Sequence, residues 1–92
     1  MTTLYLNLKK KYFDQIRSGV KKEEYREIKP YWWKHLNKQY DTIVITLGYP
    51  EERNETNSIT FPWKGYEIKT ITHPLFGNKP TEVYAIKLEK EK

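Results

Sequence analysis

Residues 19–28 read Gly19-Val20-Lys21-Lys22-Glu23-Glu24-Tyr25-Arg26-Glu27-Ile28, and whether this stretch is helical or extended decides what its neighbours can build. Six of the eight residues from Lys21 to Ile28 are charged, with both signs mixed. A helix would set Lys22 four positions before Arg26 and Glu23 four before Glu27, two like-charge pairs that destabilise a helical face. The stretch is therefore expected to be extended. Alternation along a strand puts Glu24 and Arg26 on one face and Lys21 on the other. All three can share a site only if the chain bends, and the place for a bend is just after Gly19.

Working outward, Leu4, Leu6 and Leu8 alternate with Tyr5 and Asn7, the period of a strand. Tyr12, Phe13 and Ile16 share one face of a helix over residues 9–18, with Gly19 where a left-handed cap is expected. On the far side, Pro30 opens a second short helix through Tyr31, Trp32, Trp33 and Leu36, with Lys29 held extended before it. Residues 41–49, 58–63, 66–72 and 82–88 read as strands, punctuated by Pro50, Gly65, Pro74, Gly77-Asn78 and Pro80. Residues 50–57 form a polar loop with little to bury. The expectation is one α+β domain over residues 1–92. A curled, mainly antiparallel sheet carries two helices near one end, and residues 89–92 form a frayed, solvated tail.

Composition agrees with a small packed domain. The 92 residues are only 37% hydrophobic, but 15% are aromatic, and each large ring can bury ~150–250 Å². With no cysteine, a disulfide framework, a thiolate zinc site and a cysteine nucleophile are excluded. No run approaches the ~18 apolar residues of a membrane span, and the first residues lack a charged-then-apolar leader, so a cytoplasmic location away from membranes is expected. The net charge of +5 is uneven: residues 1–40 hold ten basic and four acidic residues, residues 41–92 seven and eight. A basic footprint in the first half suits an anionic partner such as RNA.

Gly19, Lys21, Glu24 and Arg26 fit the pattern G-x-K-x-x-E-x-R, and here the chain resembles the ASCH domain family of the PUA-like superfamily. The order of elements, a leucine strand and a helix before the motif and strands after it, is similar to that family's along essentially the whole chain. The resemblance implies a PUA-like β-barrel with a cleft between barrel and helices, suited to RNA or a nucleotide and lined by Gly19, Lys21, Glu24 and Arg26. No cofactor is expected, and with no cysteine and only two isolated histidines no metal site is expected either. Some members are similar to metal-independent hydrolases, either amidohydrolases acting on N4-acetylcytidine or ribonucleases; Lys21 and Glu24 are the catalytic candidates by that analogy. Glu24 stands where the amidohydrolases carry a threonine nucleophile, so binding of RNA or a modified nucleoside ranks above catalysis.

The residues support a site without the family name. Lys21 can meet a phosphate or carbonyl, Arg26 can present a planar fork to phosphate or stack on a base, and Glu24 can hold a cation or accept from an exocyclic amine. The alternative is a solvated edge strand whose charges discourage edge-to-edge pairing. Lys9, Lys10 and Lys11 crowd a helix start where positive charge is disfavoured, so they are either phosphate contacts or lysines in solvent. Tyr31, Trp32 and Trp33 beside Lys29, Lys34 and His35 form a basic aromatic patch fit for stacking bases. Adjacent helical residues cannot both face the core, so one of Trp32 and Trp33 is expected at the surface or over the cleft. His35 and His73 have no metal-type spacing.

Overall fold

The computed structural model describes residues 2–89, so the expected tail lies outside them except for Glu89. The elements are β1 (Thr3–Leu8), α1 (Lys10–Arg17), β2 (Glu23–Glu27), α2 (Pro30–Leu36), β3 (Thr42–Leu47), β4 (Ser58–Pro62), β5 (Tyr66–Ile71), a 3₁₀ turn (Pro74–Phe76) and β6 (Thr81–Lys87). The stretch from Glu23 is extended, as its charge pattern requires. Lys29 precedes α2 in an extended conformation, with Pro30 in the first turn.

The six strands are mainly antiparallel and fall into two three-stranded sheets, ordered β1-β3-β4 and β2-β6-β5. Only β1 and β3 run parallel, paired from Thr3 with Thr42 to Leu8 with Leu47; the crossover between them carries α1, β2 and α2. The single curled sheet expected from the sequence is thus divided, and among the described residues no strand pairing closes a barrel.

One core lies between the sheets. Leu4, Leu6 and Leu8 of β1 meet Phe13 and Ile16 of α1, Leu36 of α2, Ile43 and Ile45 of β3, and Ile86 of β6. Partly buried rings, Tyr12, Trp32, Tyr40, Trp63 and Tyr66, pack around it, which is how a chain so poor in aliphatic residues encloses a core. No helix among the described residues is long and apolar enough to cross a membrane.

Candidate functional site

Where a closed barrel would pair its strands, edge strands β1 and β2 instead border a cavity of about 320 Å³, near the lower size of small-molecule sites. Asn7 and Leu8 form one wall and residues 24–27 the other; Lys9 and Tyr12 of the α1 start, Lys29 and Trp32 at α2, and Phe76 complete it. Arg26 spans the seam. Its guanidinium carbon lies 4.9 Å from the Trp32 ring centroid, and Nη2 donates to Glu24 Oε2 at 3.1 Å and to the Asn7 carbonyl at 3.4 Å. At this seam an arginine side chain links β2 to β1, and among the described residues no ladder of backbone hydrogen bonds joins them. Arg26 Nε is buried without a hydrogen-bond partner, the single such side-chain atom among the described residues. A buried donor left unpaired costs about 1–3 kcal/mol, a cost this seam carries at the residue that spans it.

Glu24 anchors this arrangement. It sits on the inner face of β2 opposite Ile86 and is only 4% exposed. Its second oxygen, Oε1, accepts from Lys21 Nζ at 2.8 Å, so both carboxylate oxygens are engaged by cations. Lys21 reaches it because the chain turns between α1 and β2. Gly19 takes φ +82°, a left-handed conformation, the Lys21 amide donates to the Gln15 carbonyl at 3.0 Å, and the strand starts only at Glu23. The bend expected just after Gly19 is present, and it brings Lys21 to Glu24 without bringing it to the cavity. The Lys21 ammonium is also enclosed by the rings of Tyr12 and Tyr25, with centroids 5.1 and 5.3 Å away. Burial, and then the Glu23 carboxylate to which it donates, hold the Tyr25 phenol above its ordinary range, so it stays a neutral donor near pH 7.

Of the residues singled out in the sequence, Lys9, Glu24, Arg26 and Trp32 line the cavity. Lys21 stands behind Glu24 and orients it without lining the cavity. Gly19 contributes its backbone conformation and likewise stays outside. The lysine triplet is split by the helix start: Lys9 faces the cavity, Lys10 is paired with Asp14 one turn on at 2.6 Å, and Lys11 is exposed beside the Tyr12 ring. Trp33, 58% exposed, lies over a separate apolar hollow with Ile28, Pro30 and Tyr84, because neighbouring helical positions point apart. His35 is stacked on Tyr31 and its Nδ1 lies 2.7 Å from that residue's carbonyl oxygen.

Sequence reasoning missed Asn7, Tyr12 and Phe76 as cavity residues. Tyr12 shares the helical face of Phe13 and Ile16 and so reads as core; it does pack against the core, but its ring also faces the cavity. Phe76 arrives on a 3₁₀ turn between two punctuating residues, Pro74 and Gly77, with no periodic signal. The cavity lining carries three cations, Lys9, Arg26 and Lys29, against Glu24 and Glu27, and is thus net positive. Among the described residues, no group of three His, Cys, Asp or Glu side chains gathers as metal ligands would. The chain matches no protein-family model, no curated protein and no solved structure.

Proposed function

We propose that this chain is an ASCH-type module of the PUA-like superfamily that binds RNA or a nucleotide, with one base seated in the cavity between β1 and β2. The observation that carries the reading is the arginine sandwich: Arg26 laid on Trp32, fixed from behind by Glu24, with one buried donor unpaired. A planar cation over an indole gives a base both a stacking surface and a hydrogen-bond donor. Lys9 and Lys29 at the same cavity are placed to meet phosphates. The resemblance carried by Gly19, Lys21, Glu24 and Arg26 points the same way.

Binding is favoured over hydrolysis by the placement of Lys21 and Glu24. Lys21 does not line this cavity, although it borders two other hollows, and each Glu24 oxygen is engaged by a cation, an arrangement that suits holding Arg26 in place more than proton transfer. Incubation with N4-acetylcytidine and with labelled RNA is expected to give no turnover. Turnover by the parent that is lost in both Lys21→Ala and Glu24→Gln, each assayed below its own melting temperature, would replace the binding reading with a catalytic one.

The direct test is titration of short single-stranded RNA at several salt concentrations. Binding is expected to weaken as salt rises, with a log–log slope of roughly −2, the value for about three neutralised phosphates on a single strand. Absence of binding at low salt, or affinity indifferent to salt, would overturn the proposal.

A further inference from the structure

A second hollow, of about 210 Å³, adjoins the cavity along the outer face of β1 and is formed by Tyr5, Asn7, Thr46, Tyr49, Pro50 and Arg53. Asn7 belongs to both. Its carbonyl takes the Arg26 donor on the cavity side, while its Oδ1 lies 2.6 Å from the Thr46 hydroxyl on the other, which leaves the Asn7 NH₂ for other acceptors. Tyr5 is two residues, about 7 Å, back along the same strand face. The Arg53 guanidinium carbon lies 4.3 Å from the Tyr5 ring centroid, another arginine–aromatic pair. Tyr49 is 88% exposed, an aromatic surface left in water at the rim.

The loop bearing Arg53 is tied in place. Arg17 Nη2 donates to the Glu55 carbonyl at 2.7 Å, and Asn57 Nδ2 to the Glu52 carbonyl at 2.8 Å. The loop also carries Glu51, Glu52 and Glu55, which are exposed and do not line the hollow. Three carboxylates nearby disfavour phosphate, whereas stacking on a ring is indifferent to them.

We infer that this hollow is a second base subsite, in which Tyr49 and the Tyr5–Arg53 pair stack the nucleotide next to the one in the cavity, so that the ligand is a single strand and not a lone nucleoside. The inference rests on the proposed function and extends it. The Tyr5–Arg53 pair is already formed before any ligand arrives, which limits the entropy lost on binding. The subsite's contribution comes from stacking, so the advantage of a longer ligand should resist salt even though binding in the cavity does not.

The test compares the four ribonucleoside 5′-monophosphates with the corresponding homotrinucleotides, on the parent chain, Tyr49→Ala and Tyr49→Phe. For the base that binds best, the trinucleotide should bind the parent about tenfold more tightly than the monophosphate. Tyr49→Ala should remove most of that gain and leave monophosphate affinity within about twofold, and Tyr49→Phe should keep the gain, because a ring is all that stacking requires. A trinucleotide that binds no better than the monophosphate, or a gain that survives Tyr49→Ala, overturns the second subsite and leaves the cavity reading standing. Equal loss of both ligands in Tyr49→Ala overturns it too, since Tyr49 would then act on the cavity. If neither ligand binds the parent, the proposed function fails and the subsite fails with it.

Discussion

Glu24→Gln should destabilise the domain by about 3 kcal/mol, within the range for breaking a buried ion pair from one side. Three charges share one small volume, with side-chain exposures of 6% for Glu24, 12% for Lys21 and 21% for Arg26. The neutral amide keeps the shape of the carboxylate but leaves two partly desolvated cations without their counter-charge. In a domain of this size each kcal/mol moves the melting temperature by about 4–8 °C, so a fall of roughly 12–24 °C is expected by thermal unfolding. Lys21→Met alone should also destabilise, because Glu24 then keeps one cation where it had two. Joined to Glu24→Leu, it should recover part of the loss, since apolar pairs of similar volume often replace buried ion pairs without penalty. If Glu24→Gln melts within about 2 °C of the parent, the triad does not hold the site together.

The second large effect falls on binding. Arg26→Ala should weaken RNA at least about 100-fold, because it removes the stacked cation, the unpaired Nε donor and the link across the seam to Asn7. Arg26→Lys separates charge from shape: lysine keeps the charge but cannot offer a planar fork over Trp32. It is expected to recover no more than about a tenth of the parent affinity, with a melting temperature much closer to the parent than that of Glu24→Gln. Parent-like affinity in Arg26→Lys would mean that only charge matters at this position.

Most of the elements were legible because each rests on local chemistry. The leucine alternation of β1, the apolar face of α1, the like-charge conflicts in residues 21–28 and the proline before α2 act within a few residues of chain. The division into two sheets was not legible, because it depends on which distant edges fail to pair, and Arg26 crossing from β2 to β1 has no local signature. The candidate site was legible to the same degree. Glu24, Arg26 and the need for a bend after Gly19 follow from strand alternation in a charged segment. Phe76 and Asn7 join the cavity through tertiary packing alone. Trp32 and Trp33 show the boundary between the two cases: the sequence implied that they part, and the position of α2 against β2 decides which one meets the cavity.

On the proposed function, ligand enters the seam and stacks on the Arg26–Trp32 pair, close enough to change Trp32 emission. Replacing Trp33 and Trp63 by phenylalanine leaves Trp32 as the only tryptophan, and its fluorescence can be followed while short single-stranded RNA is added. Saturable quenching is expected, with the affinity found by an independent binding assay and abolished by Arg26→Ala. RNA that binds while Trp32 emission stays unchanged would place the ligand elsewhere and contradict the account.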